Sequence, residues 1–237
     1  MSKFFLVLLA SLVFLSVTFS QNPLKDTAQI SAIESAKEIY TQTMKGQGQF
    51  YNGGDYIDYQ QIEDEHPYFL SNNWIVGSIH YDGEIYENVG LLYNTLTDNV
   101  IVEYYHSSTM IQLVKEKLLY FTVYGQTFFN IQNNALQSGF YERLCNGKVK
   151  VFAKRFKVFQ KKTSFANQQS FEEKSKYYIF KNGIYHAVKS KNSVLSVTGD
   201  QKKEVKQFLN KNGLQFGKSR EMSIIKAVEF YNNLIEK

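Results

Sequence analysis

Apolar residues recur at helical spacing near both ends of the chain and at the two-residue spacing of extended structure in the long stretch between. Near the start, Ile30, Ile33, Tyr40 and Met44 share one face of a predicted helix, with Asp26 as N-cap, Gln29 in the reciprocal capping position and Gly46 as the stop. From Phe50 to Gln61, Gly, Asn and Tyr alternate, which suits a turn followed by an extended segment. Ile75, Gly77, Ile79 and Ile85 then alternate with more polar positions, and Asp82-Gly83 supplies the positive φ angles of a two-residue turn, so Trp74–Glu87 reads as a hairpin. Hairpins are also predicted at Asn146-Gly147, between Phe140–Cys145 and Val149–Phe159, and at Asn182-Gly183, between Tyr177–Phe180 and Ile184–Val188.

Five further β-rich runs, Val89–Tyr93, Val100–Tyr105, Met110–Val114, Leu118–Tyr124 and Thr127–Ile131, follow one another too closely for crossover helices. An antiparallel meander paired mostly between sequence neighbours is the result. The polar stretch Lys161–Lys176 reads as a long loop. Helical period returns after Gly199-Asp200, where Val205, Phe208 and Leu209 form a stripe, and again from Ser219, where Ile224, Val228, Tyr231 and Ile235 carry it to the end. The expected fold is α+β: a curved, half-barrel-like antiparallel sheet with one N-terminal helix and two C-terminal helices.

Met1–Ser20 changes the picture of where this body works. One cation, Lys3, precedes an apolar run from Phe4 to Leu15, and Thr18 and Ser20 close it, which is the layout of a secretory signal peptide cleaved after Ser20. The run is interrupted by Ser11 and Ser16 and falls short of the ~20 apolar residues of a spanning helix. Residues 21–237 then form a single domain, secreted or periplasmic, with no spanning segment left. The single cysteine, Cys145, is far from the new N-terminus and cannot carry a lipid anchor; it is either a buried small hydrophobe or a dimerising thiol. With 27 cations against 22 anions the surface is too evenly mixed for a nucleic-acid partner, although weak attraction to anionic surfaces is allowed. A chain with 43% hydrophobic residues and only 2 Pro is neither a disordered tail nor a low-complexity stalk.

Several short segments carry a resemblance: Tyr51-Asn52-Gly53, His66-Pro67-Tyr68-Phe69-Leu70, Gly77-Ser78-Ile79-His80-Tyr81-Asp82-Gly83, Leu91-Leu92-Tyr93, Lys202-Lys203-Glu204 with Phe208 and Asn212, and Glu229-Phe230-Tyr231. Together they resemble a group of uncharacterised exported proteins of Bacteroidota with no assigned activity. The resemblance implies a Gram-negative cell envelope and assigns no catalytic residue.

Candidate chemistry is sparse. The histidines His66, His80, His106 and His186 are scattered, no His-x-x-x-His or Cys-x-x-Cys pair occurs, and no metal or cofactor is indicated. His80, Asp82 and Glu84 meet at one hairpin tip, where a solvated turn competes with a carboxylate–imidazole site. Gly77-Ser78 lacks the context of a nucleophile elbow, and Gly46-x-Gly48 leads into extended chain and not into a helix, so no catalytic residue is assigned.

Two surface features remain. With 17 Tyr and 19 Phe against one Trp, the chain is rich in rings, and Tyr51, Tyr56, Tyr59, Tyr68 and Trp74 sit among Gly, Asn and Asp where a ring with a polar tip can face a groove. Tyr51, Tyr56, Tyr68, Trp74 and His80 are therefore candidate ligand-binding residues. From Lys148 to Lys162 cations interleave with apolar residues, occupying even positions up to Lys154 and odd positions from Arg155. That parity slip suggests a bulge or a charged edge strand, or else a surface for an anionic partner built on Lys150, Lys154, Arg155 and Lys157. The expected function is a non-enzymatic envelope module that binds an amphipathic ligand or an envelope partner such as a lipid, a glycan or a protein. A hydrolase acting on envelope polymers is the alternative.

Overall fold

A computed structural model describes residues 53–57, 65–103, 109–161 and 169–236, together with position 35. Chain contacts divide the protein into residues 1–45 and 46–237, and apart from Ser35, an exposed helical residue, everything described belongs to the second unit. The expected leader over Met1–Ser20, all of the predicted helix from Asp26 to Gly46 except Ser35, and Tyr51 lie outside the described residues.

Eleven strands form one open antiparallel sheet among those residues: β1 (Gly54–Asp55), β2 (Ile75–Tyr81), β3 (Glu84–Asn94), β4 (Asn99–Glu103), β5 (Met110–Gln112), β6 (Leu118–Val123), β7 (Gln126–Ile131), β8 (Gly139–Cys145), β9 (Lys150–Lys161), β10 (Gln169–Lys181) and β11 (Ile184–Val188). Three helices follow: α1 (Lys191–Val197), α2 (Lys202–Lys211) and α3 (Arg220–Ile235). The antiparallel sheet and the two C-terminal helices match the sequence expectation. A third helix, α1, is an addition to it; Ser190 and Ser193 cap it reciprocally, so a serine takes the place of the usual Glu or Gln.

Strand order is β1-β5-β4-β3-β2-β6-β7-β8-β9-β10-β11, so the sheet is two meanders rather than one, joined where β6 pairs with β2 through Ser78↔Thr122 and His80↔Tyr120. Asp82 (φ 52) and Gly83 (φ 88) make the first turn, and Asn182 (φ 54) and Gly183 (φ 79) the last. Two expected strands merge: the hairpin arm from Glu84 continues into Val89–Tyr93 as one strand, with Asn88 (φ 58) absorbed in a bulge. The expected loop over Lys161–Lys176 is corrected as well. Residues 169–176 belong to β10, paired residue by residue with Lys154–Lys161; the polar composition concealed a strand whose backbone is held by β9.

One face of the sheet carries the larger core: Ile79, Leu91, Tyr93, Phe121, Phe128 and Phe140, all at most 1% exposed. Phe121 stacks on Phe128 with centroids 5.0 Å apart and meets Phe140 edge-on at 5.1 Å, the favoured aromatic geometries. Further along, α1, α2 and α3 cover Val151, Ile179 and Val188 with Leu195, Leu209 and Val228. The sheet is curled. In a flat sheet β3 and β9 would stand about 24 Å apart, five strand spacings. Yet Asp98, in the β3–β4 turn, is salt-bridged to Lys154 of β9 at 2.8 Å, and the Lys157 amide donates to the Thr95 carbonyl at 3.2 Å. Turn residues, not strand pairing, bring the β3–β4 turn and β9 together.

Candidate ligand-binding face

Alternation sends every second side chain of these strands to the face opposite the larger core. Register aligns them across the sheet: His80 is opposite Ile85 on β3 and Tyr120 on β6, Tyr120 is opposite Phe129 on β7, and Phe129 is opposite Tyr141 on β8. On β9 to β11 the row resumes as Phe152, opposite Tyr178, and Phe180, opposite Tyr185. Neighbouring rings touch: His80 to Tyr120 at 5.2 Å, Tyr120 to Phe129 at 5.7 Å, Tyr141 to Tyr178 at 5.7 Å and Phe180 to Tyr185 at 4.5 Å. Cross-strand aromatic pairs of this kind stabilise a sheet by themselves. The two ends of the row differ: Tyr141 (0%) and Phe152 (7%) are buried in a cluster on β8 and β9, whereas Val76 (66%), Ile85 (60%) and Leu119 (53%) stand exposed on β2, β3 and β6. Burial raises the hydroxyl pKa of Tyr141, Tyr178 and Tyr185, so each stays a neutral hydrogen-bonding group at physiological pH.

Cations border this row. The Arg143 guanidinium lies 4.7 Å from the Phe129 centroid, and the Lys176 ammonium 5.2 Å from that of Phe156. Lys150 is half-buried opposite Phe180. None of these three cations takes part in a salt bridge among the described residues.

The ring residues singled out in the sequence divide into two places. Tyr56, Tyr68 and Trp74 converge with Leu92, Ile101 and Met110 in a small satellite cluster. Tyr68 is 4% exposed, and the Tyr56 hydroxyl accepts a hydrogen bond from Asn94 Nδ2 at 2.8 Å while lying 3.4 Å from the Tyr68 hydroxyl. These two rings pack and hold the β3–β4 turn rather than line an open groove. Trp74 is half-buried beside them. His80 lies six residues further along the chain, roughly 20 Å away at the strand rise, within the aromatic row. Its Nδ1 is buried with no hydrogen-bond partner among the described residues.

The four cations proposed for an anionic partner are not one open surface. Lys154 is 5% exposed: its ammonium bonds Asp98 and, at 3.1 Å, the Phe140 carbonyl, over the Tyr141 ring. Burial pulls its pKa down and Asp98 opposes that shift. Arg155 points to the other face, where its Nε meets Glu142 at 2.7 Å and its Nη1 meets Glu221 of α3 at 2.6 Å. Glu142, 3% exposed, has its carboxyl pushed up by burial and pulled back by Arg155. Lys157 donates to the His66 carbonyl at 2.8 Å, and burial, then Lys157, lowers the His66 pKa. The parity slip at Lys154–Arg155 is thus neither a bulge nor an edge. β9 lies between β8 and β10, and consecutive cations serve two different acids, one on each face; the bulge is in β8 between Arg143 and Cys145. Cys145 itself is 8% exposed, and burial raises its thiol pKa.

Among the described residues no three of His, Cys, Asp and Glu cluster to hold a metal ion. No helix of the described residues is long and apolar enough to cross a membrane. No family model, curated protein or solved structure matches this chain.

Proposed function

We propose that the protein is an exported cell-envelope binding module that takes an amphipathic, anionic ligand on the aromatic face of its sheet. One observation carries the reading: rings aligned on one face from His80 to Phe129 and again from Tyr141 to Tyr185, fringed by exposed aliphatic residues and by Arg143, Lys150 and Lys176, which form no ion pair among the described residues. An apolar tail or ring lies against Ile85, Leu119 and Tyr120, and an acidic head group meets the cations. Binding is favoured over hydrolysis because the half-buried Asp98 is engaged by Lys154 and Lys115 and the buried Glu142 by Arg155. Export rests on the leader and on the resemblance to exported proteins of Bacteroidota.

The test is co-sedimentation of the purified protein with vesicles of phosphatidylglycerol and of phosphatidylcholine. The wild type is expected to sediment with the anionic vesicles only, and both Ile85→Ser/Leu119→Ser and Arg143→Gln to reduce the bound fraction several-fold. Equal sedimentation of wild type and variants, or none at all with either vesicle, refutes the proposal.

A further inference from the structure

The last strand, β11, ends the sheet, and its second edge has no strand partner among the described residues. Natural sheets guard such edges with charges, prolines, bulges or very short strands. The opposite edge follows that rule, since β1 has two residues. β11 does not: Ile184-Tyr185-His186-Ala187-Val188 contains no charge and no proline, pairs with β10 in five consecutive positions without a register shift, and leaves Ile184 58% exposed. A solvent-open groove of about 340 Å³ runs beside this strand, lined by Lys181, Asn182, Ile184 and His186 from the hairpin and by Ser196 and Val197 from α1. On the other side of the strand stand the Tyr185 and Phe180 rings. The surrounding charge is mostly positive, although Lys181 is paired with Asp200 at 2.7 Å. From Lys174 to Gly199 the chain carries Lys174, Lys176, Lys181, Lys189 and Lys191 and no acidic residue.

We propose that the β11 edge receives an extended acidic peptide segment of a partner protein by strand addition. Main-chain hydrogen bonds to every second residue of β11 supply the attraction, and alternate side chains of the incoming strand drop into the groove between Ile184, His186 and Val197 or lie against Tyr185. Acidic flanks of the peptide face Lys189, which is exposed, and Lys191 at the start of α1. The same lysines set two copies of this edge against each other as like charges, which favours a foreign acidic strand over a second copy of this chain.

The probe is a fluorescein-labelled peptide of alternating valine and threonine flanked by two glutamates at each end, titrated into the full protein and followed by polarisation. Hydrogen exchange with mass spectrometry is recorded on the same complex. Saturable binding below about 1 mM is expected, with new protection confined to 184–188. Lys189→Glu/Lys191→Glu is expected to weaken it about tenfold at low salt. That variant should fold normally, because an acid in the first turn suits the α1 helix dipole. The same peptide with its central valines replaced by proline should not bind. Equal binding of the proline peptide, protection elsewhere, or no saturation overturns the proposal. Protection of 184–188 that rises with protein concentration alone overturns it too, by placing a second copy on the edge.

Discussion

Replacing Asp98 with asparagine is expected to cost far more than its position in a turn implies. Its carboxylate meets Lys154 at 2.8 Å and Lys115 at 3.1 Å and accepts the Tyr93 hydroxyl at 2.8 Å. The two lysines are unequal: the Lys115 side chain is 28% exposed and can return to water, whereas that of Lys154 is 6% exposed and cannot. Removing one partner of a buried pair typically costs about 3–5 kcal/mol, because the other charge is stranded. The introduced amide would retain a neutral acceptor, and the Phe140 carbonyl still takes one Lys154 proton, so the lower end, about 3 kcal/mol, is expected. For a body of this size that is a fall in Tm of roughly 6–12 °C.

The pH dependence identifies the cause. Burial already lowers the Lys154 pKa and Asp98 opposes it, so without Asp98 the folded-state value falls further. The unfolded chain then binds more protons than the folded one between that lowered value and the ordinary lysine range, and stability rises with pH there. The Asp98→Asn penalty should therefore shrink from pH 7 towards pH 9.5 in urea melts followed by Trp74 fluorescence. Lys154→Met, which keeps the aliphatic stem on Tyr141, should recover part of the loss when combined with Asp98→Asn. A penalty below about 1 kcal/mol, or one that is flat in pH, would show that Lys154 is not held as a charge by Asp98.

Asn232 of α3 accepts from the Val149 amide at 2.9 Å and donates to the Val149 carbonyl at 2.8 Å; Asn232→Ala leaves both groups buried and unpaired, and should lower stability by about 2–4 kcal/mol in urea with an unchanged slope. Gly147→Ala should be comparably harmful, since φ is 143° and the new Cβ would be 2.5 Å from Asn232 Nδ2. Phe121→Ala should cost about 3–5 kcal/mol, whereas Ile85→Ser on the exposed face should stay within about 0.5 kcal/mol, a contrast that differential scanning calorimetry resolves. Burial holds the Tyr93 and Tyr141 hydroxyls well above the usual tyrosine range, so these rings should ionise only on unfolding. Their contribution to stability is complete below about pH 10 and is lost above it, which ultraviolet difference titration at 295 nm checks against the unfolding curve.

Turns were legible wherever the residue itself demands a left-handed backbone, as at Asp82-Gly83 and Asn182-Gly183. The β6–β7 turn carries no such mark because Tyr124 takes φ 52 beside Gly125, and tyrosine is a poor left-handed residue. Pairing of β2 with β6 was illegible for another reason: it joins residues about forty apart, and nothing local encodes it. The Lys150–Lys157 stretch misled because charge periodicity reports which face a side chain takes, not what it meets there. Asp98 and Glu142, the acids that engage Lys154 and Arg155, come from a different turn and a different strand.

The second aromatic face left a mark in the sequence that periodicity counts overlook. A strand with one dry side alternates ring and polar residue, but here the rings come in adjacent pairs: Tyr120-Phe121, Phe128-Phe129, Phe140-Tyr141 and Tyr177-Tyr178. Neighbours on a strand point to opposite faces, so each pair gives one ring to each side. Phe121, Phe128 and Phe140 meet in the larger core, and Tyr177 packs against the helix-covered core. Tyr120, Phe129, Tyr141 and Tyr178 are delivered to the other face, where no described helix packs on them. Tyr141 is fully buried there, while Tyr120, Phe129 and Tyr178 are half-buried and leave apolar area that solvent disfavours beside Ile85 and Leu119. Doublets of rings in a meander are for that reason a signal of rings on both faces of the sheet, and single alternating rings are a signal of rings on one face alone.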